Sequence, residues 1–213
     1  MTCRLYLTAP TDLGSPERPI DAFANLLADV LNSGAFDCLL LPRGNADETT
    51  TRRSIERLCP IAQDLGVAVV LEGDAGLAKE TGCDGVHLSN PKAYGGARKL
   101  LGDDAIVGVD CGLSRHLAME AAERGADYVA FKRPSIEGAE NLEVTDETAP
   151  TLEAVLEWWQ AMIETPCIAM DAKDEKDCAN LAKAGADFVA LGDDFWQGGA
   201  ASDILKNAAD SLS

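Results

Sequence analysis

Three short strings in this chain are near copies of one another. Gly82-Cys83-Asp84-Gly85-Val86-His87-Leu88, Gly125-Ala126-Asp127-Tyr128-Val129-Ala130-Phe131 and Gly185-Ala186-Asp187-Phe188-Val189-Ala190-Leu191 each follow an amphipathic stretch and lead into an apolar run. The glycine supplies the left-handed cap that ends a helix. The aspartate stands in the tight turn behind it, where its side chain can accept from free backbone N–H groups. The apolar run is short and does not alternate with polar residues, as in a strand covered on both faces. One helix-to-strand joint used three times constrains the chain to alternating β-α units around a parallel sheet.

The other units fit between these copies. Apolar runs predict strands at Cys3–Ala9, Phe36–Pro42, Val67–Glu72, Gly85–Leu88, Ile106–Asp110, Tyr128–Phe131, Cys167–Met170 and Phe188–Leu191. Helical spacing predicts helices at Pro19–Asn32, Asp47–Leu65, Gly76–Thr81, Ala93–Leu101, Arg115–Arg124, Ala149–Ile163, Glu175–Ala184 and Ala200–Leu212. Eight strand–helix pairs in 213 residues predict one closed (β/α)8 barrel, a TIM barrel, spanning residues 1–213 as a single domain. An open doubly wound sheet is the alternative, but it carries fewer strands at this length. The polar, acidic connection Pro134–Thr148 is the longest between a strand and a helix, a place for either a lid or a plain solvated loop.

Net charge is −18, which repels nucleic acid and anionic membrane surfaces, so neither is an expected partner. No apolar run approaches the roughly 18 residues of a membrane helix. Met1-Thr2-Cys3-Arg4-Leu5-Tyr6 reads as the start of a strand and not as a signal peptide, so the expected location is the cytoplasm. The seven cysteines are odd in number and show no CxxC spacing, which fits a reducing compartment better than a disulfide framework. Cys111 falls near a strand end, where a thiolate nucleophile and an inert barrel thiol are both open readings.

In a barrel of this kind, side chains just past each strand share one mouth, and chemistry belongs there. The cations at those places are Arg43, Lys92, Lys132 and Arg133, with Lys173 a further candidate; the acids are Glu72, Asp74, Asp110, Asp171, Asp193 and Asp194; Ser89 and Asn90 add neutral polar groups. Such a set forms either a binding site or a ring of ion pairs. Lys132-Arg133 is the best candidate for anion binding, because arginine offers a planar fork of donors to phosphate or carboxylate. Glu72, Asp74 and Asp110 supply oxygen ligands suited to Mg²⁺, though their spacing is not diagnostic. His87 sits between Val86 and Leu88, as a packed barrel residue would, and His116 starts a helix. There is no P-loop, GxGxxG or zinc motif.

Cys3-Arg4-Leu5-Tyr6-Leu7, Gly85-Val86-His87-Leu88, Val107-Gly108-Val109, Gly125-Ala126-Asp127-Tyr128-Val129 and Gly185-Ala186-Asp187-Phe188-Val189-Ala190 resemble the thiamine phosphate synthase and thiazole tautomerase family, in the same order and nearly end to end. The resemblance implies a barrel that couples hydroxymethylpyrimidine diphosphate to a thiazole phosphate, with Mg²⁺ on the diphosphate. The ligand motifs depart from that pattern. Leu40, Pro42 and Gly44 stand at the family's Gln-x-Arg-x-Lys, with Arg43 adjacent; Glu72-Gly73 stands at its Asn-Asp, with Asp74 next; and Lys92 stands at its second Mg²⁺-binding aspartate. Asp110 or Cys111 replaces the serine of Gly-Val-Ser, and no histidine follows as in the tautomerases. Asp171-Ala172 replaces Gly-Gly, Gly192-Asp193 replaces Val-Ser, and Lys132-Arg133-Pro134 stands in place of Gly-Pro-x-Phe-Pro-Thr.

The expectation is a divergent thiamine phosphate synthase-like protein. Lys92 would replace the metal charge with a fixed ammonium and act with Asp110 in catalysis. Arg43, Ser89, Asn90, Lys132, Arg133, Asp171 and Asp193 would contact a small anionic metabolite, and Glu72 and Asp74 would take Mg²⁺ if any is bound. A catalytically silent paralogue that binds a metabolite or a partner protein is the alternative. Further copies of the chain are the other candidate partner.

Overall fold

The computed structural model describes residues 3–32, 36–44, 46–134 and 150–196, apart from the side chain of Asp194. Eight parallel strands close into a barrel in chain order, with the first strand paired to the last. They are β1 (Arg4–Thr8), β2 (Phe36–Leu41), β3 (Ala68–Glu72), β4 (Gly85–Leu88), β5 (Ile106–Asp110), β6 (Tyr128–Phe131), β7 (Cys167–Ala169) and β8 (Phe188–Leu191). The helices between them are α1 (Ile20–Asn32), α2 (Glu48–Asp64), α3 (Ala75–Thr81), α4 (Tyr94–Leu101), α5 (Arg115–Glu123), α6 (Leu152–Met162) and α7 (Glu175–Lys183). A 3-10 turn, Pro91–Ala93, precedes α4, and a four-residue helix, α8 (Asp193–Trp196), follows β8 directly. These last two were not expected, since both arise from a few residues and lack helical periodicity. The predicted helix Ala200–Leu212 and residues 135–149 lie outside the described residues.

The repeated joint does more than turn the chain. Gly82, Gly125 and Gly185 have φ of 76°, 91° and 106°, a region that favours glycine. Each joint aspartate accepts a backbone N–H from the strand before it: Asp84 from Val69 (2.7 Å), Asp127 from Val107 (2.7 Å) and Asp187 from Cys167 (2.8 Å). The joint thus pins each helix–strand turn to the neighbouring strand. Helix starts are capped by Asp47, Asp74, Ser114, Thr151 and Asp174, whose side chains accept N–H groups of the first turn.

Strand residues alternate between two cores. Leu5, Leu7, Leu39, Val69, Leu71, Val107, Val129 and Phe131 pack outward in one cluster with the helices. Tyr6, Cys38, Leu40, Val70, Tyr128, Ala130, Ile168, Met170 and Ala190 fill the barrel interior. The period of two therefore decides, strand by strand, which side chain enters the barrel. Trp159 is 1% exposed, meets Phe131 edge to face at 5.4 Å and donates its indole N–H to Thr165 O (2.8 Å); Trp158 lies under the guanidinium of Arg115.

Candidate active site

The mouth is built on β3 to β6. Strand register sets Glu72 beside His87, His87 beside Gly108, and Gly108 beside Tyr128. Gly108 has no side chain, so the Tyr128 ring occupies its place and reaches His87, the rings stacking at 5.8 Å. The Tyr128 hydroxyl bonds His87 Nδ1 at 2.9 Å and the Tyr6 hydroxyl at 3.0 Å. Burial pushes both tyrosines well above the ordinary phenol value. This buried row was missed in the sequence, where Tyr6 and Tyr128 read simply as apolar strand residues.

Two residues further along β5 toward the mouth, Asp110 is 9% exposed. Its Oδ1 accepts the Gly112 N–H (2.8 Å), and its Oδ2 meets Lys132 Nζ at 2.6 Å. Burial works against the charge of Lys132, but the hydrogen bond with Asp110 and the field of Asp110, Asp171 and Glu72 outweigh it and hold its pKa above the usual lysine value. Lys132 is thus a fixed ammonium, protonated throughout the neutral range.

The other expected residues fall in distinct places. Glu72 accepts the backbone N–H of Arg43 (3.1 Å), and the Arg43 guanidinium lies 3.4 Å from Asp74, which also caps α3. Asn90 caps the 3-10 turn through the Lys92 N–H, and Ser89, Asn90 and Lys92 are exposed. The ammonium facing the barrel carboxylates belongs to Lys132 and not to Lys92, because the turn after β4 holds Lys92 at the surface. Asp193 accepts from the N–H and hydroxyl of Thr11 (3.0 and 2.7 Å). Asp171 has φ 57°, an unusual conformation for a residue with a side chain. Asp171 and Asp193 line a cavity of about 230 Å³ with Thr8, Thr11, Ala172 and Gly192. A second cleft, of about 390 Å³, lies between the loops after β1 and β2, lined by Thr11, Asp12, Ser15, Gly44, Asp47 and Thr50 among others.

Arg133 does not join the mouth. It donates to both Asp177 oxygens (2.9 Å each) and to Glu153 (2.7 Å), tying α6 to α7. The reason is alternation: Ala130 points in and Phe131 out, so Lys132 enters the mouth and Arg133 leaves it. Cys111 is buried and its thiol is pushed up to about 12 by burial and by Asp110, which leaves it inert.

The residues proposed for Mg²⁺ do not fit it. Among the described residues no three His, Cys, Asp or Glu side chains converge as metal ligands would. Glu72, Asp74 and Asp110 are engaged by Arg43, the start of α3 and Lys132 in turn.

His87 carries a pH signature. Burial, opposed by Asp110 and Glu72 and aided by Lys132, holds its pKa below the ordinary histidine value. The unfolded chain therefore takes up the proton first as pH falls. Stability from this site is whole above about pH 6.5 and is lost as pH drops through that value toward the lower folded-state pKa. Denaturant unfolding from about pH 7.5 to about pH 5.5 is expected to show falling stability, with a shallower slope in His87→Asn; equal slopes would contradict the buried neutral ring.

A closed parallel barrel with charged groups at its C-terminal strand ends defines the (β/α)8 class, whose sites lie in that mouth. Within it, this chain belongs to the thiamine monophosphate synthase family, whose profile matches residues 11–195. The thiamine-phosphate synthase of Rhodospirillum centenum is 42% identical over 196 residues, covering 91% of this chain and 89% of the relative. That of Erythrobacter litoralis is 37% identical over 201 residues, covering 92% and 89%. In structure, the chain is similar to a thiamine phosphate pyrophosphorylase from Pyrococcus furiosus, with a TM-score of 0.75 at 18% identity over 99% of this chain and 96% of that one. No helix among the described residues is long and apolar enough to cross a membrane.

Proposed function

We propose that this chain is a thiamine phosphate synthase-like protein of thiamine metabolism whose mouth is rebuilt around Lys132, so that the family coupling of hydroxymethylpyrimidine diphosphate to thiazole phosphate is reduced or altered. The observation that carries this reading is the 2.6 Å pair between Lys132 Nζ and the buried Asp110. It puts a permanent ammonium among Asp110, Glu72 and Asp171. A small anionic ligand entering the mouth would meet that ammonium first, while its neighbouring carboxylates limit how much negative charge can be accepted. A compact single anion suits this balance better than a diphosphate, which repels the same carboxylates.

The test combines turnover with binding. With both precursors and Mg²⁺, coupling is expected to run at least about tenfold below that of a relative retaining Gln-x-Arg-x-Lys and Asn-Asp, the scale of one lost charged contact. Calorimetry with each precursor and with inorganic phosphate is expected to show binding that Lys132→Ala abolishes and Arg133→Ala retains. Efficient Mg²⁺-dependent turnover untouched by Lys132→Ala would refute the reading.

A second reading, a silent paralogue that binds a metabolite or a partner protein, is favoured by the carboxylates of Asp171 and Asp193 in the cavity beside β1, β7 and β8. Carboxylates there oppose a phosphate instead of donating hydrogen bonds to it. Absence of both turnover and precursor binding, in a genome that also encodes an intact copy, would select this reading.

A further inference from the structure

Two cysteines from different elements meet at the first of the repeated joints, at the opposite end of the barrel from the mouth. Cys59 is buried on α2, and Cys83 is half-buried in the turn between α3 and β4. Cys59 Sγ lies 3.9 Å from the carbonyl oxygen of Gly82, and Cys83 Sγ lies 3.6 Å from Thr81 Oγ1. Both sulfurs therefore converge on the turn Thr81-Gly82-Cys83. Neighbouring bonds hold helix and turn together: Gln63 Nε2 donates to Gly82 O and to Asp84, both at 3.0 Å, and Cys83 N donates to Ala78 O at 3.0 Å.

The two sulfurs are not equivalent. The neighbouring Cys59 thiol outweighs burial at Cys83 and, with the Thr81 hydroxyl, brings that thiol below its ordinary value; the Cys83 thiol and burial in turn raise Cys59. Cys83 is also the one that solvent reaches. Elsewhere Cys38, Cys111, Cys167 and Cys178 are buried, with thiols pushed up to about 12, mainly by burial. Cys3, half-buried, is raised to about 11 by burial and by Asp187.

We propose that Cys59 and Cys83 form a reversible disulfide under hydroperoxide, with Cys83 as the attacking sulfur and Cys59 as the resolving one. The Cys83 thiolate attacks one peroxide oxygen and the O–O bond breaks. Cys83 becomes a sulfenic acid, oxidised by two electrons, and the other oxygen leaves, protonated, as water or an alcohol. The sulfur of Cys59 then attacks the sulfenic sulfur. The S–O bond breaks, the S–S bond forms, and the departing hydroxide takes the Cys59 proton as water. Two thiols and one hydroperoxide thus give one disulfide, one water and one further water or alcohol. A dithiol reductant reverses the result by exchange. The bond ties α2 to the α3–β4 turn across β3 and restricts the unfolded chain, so the oxidised protein is the more heat-resistant form.

The full chain is exposed to limiting hydrogen peroxide under native conditions, alkylated and mapped by mass spectrometry; trypsin cuts after Lys79, between the two cysteines. The first disulfide is expected to join the Cys59 and Cys83 peptides, to disappear with dithiothreitol and to raise Tm. In Cys59→Ser, dimedone is expected to trap a sulfenic acid on Cys83; in Cys83→Ser neither product forms. Circular dichroism confirms that each variant is folded before oxidation. A first disulfide between other cysteines or between chains overturns the proposal. So does a folded protein in which Cys83 stays reduced, or an oxidised form with unchanged Tm.

Discussion

Gly108→Ala is expected to destabilise the barrel by about 3 kcal/mol, because an added methyl has nowhere to go. A Cβ built there stands 1.9 Å from Cζ of Tyr128 and 2.2 and 2.4 Å from its two Cε atoms. The ring cannot slide away freely: Tyr6 sits edge-on at 6.0 Å, His87 stacks at 5.8 Å, and the hydroxyl is bonded to both. Moving the ring breaks two buried hydrogen bonds as well as the packing. Urea unfolding measures the loss. Tyr128→Ala in the Gly108→Ala background is expected to cost less than the sum of the two single changes, since the methyl then fills space that the ring vacated. A Gly108→Ala protein within about 0.5 kcal/mol of the parent would show that the interior tolerates a different arrangement.

Arg133→Ala is expected to cost about 2 kcal/mol, more than Lys132→Ala, although the two residues are neighbours. The Arg133 side chain is 26% exposed and holds Asp177, itself 15% exposed, through two parallel bonds while also holding Glu153. Its removal leaves a mostly buried carboxylate without its cation and unties α6 from α7. Asp177 keeps the Lys173 N–H at 3.0 Å, which limits the damage. Arg133→Lys is expected to recover only part of the loss, since an ammonium cannot form the paired bonds to one carboxylate. Lys132 is half exposed and makes a single contact with Asp110, which keeps the Gly112 N–H at 2.8 Å, so its replacement is expected to cost less than losing the three bonds of Arg133 and to show chiefly in ligand binding. Equal stability losses for the two variants would contradict this division of roles.

That division explains what could be read from residues alone. The triplicated Gly-x-Asp joint announced parallel β-α units because local chemistry acts there: a left-handed glycine and an aspartate seeking N–H donors. The closing of the sheet followed from counting the units. The division between Lys132 and Arg133 continues the strand's alternation directly past its end, but an apolar run covered on both faces does not show that Ala130 points in and Phe131 out. The row Glu72–His87–Gly108–Tyr128 was another matter. Each member looks ordinary in its own strand, and their contact depends on the register between four strands.

By itself, then, the sequence determined the repeated unit, the number of strands, the family and the end of the barrel where charge collects. These rest on contacts between residues close in the chain and on the period of apolar side chains. Tertiary structure alone decided which charges meet. It set Lys132 against Asp110 and left Lys92 at the surface, bound Arg133 into a helix clamp, and laid Tyr128 across Gly108 to reach His87. The physical reason is that an ion pair or a stacked ring depends on distances of a few ångströms between separate strands and helices. Those distances follow from how the strands are offset around the closed barrel, which no local stretch of chain encodes.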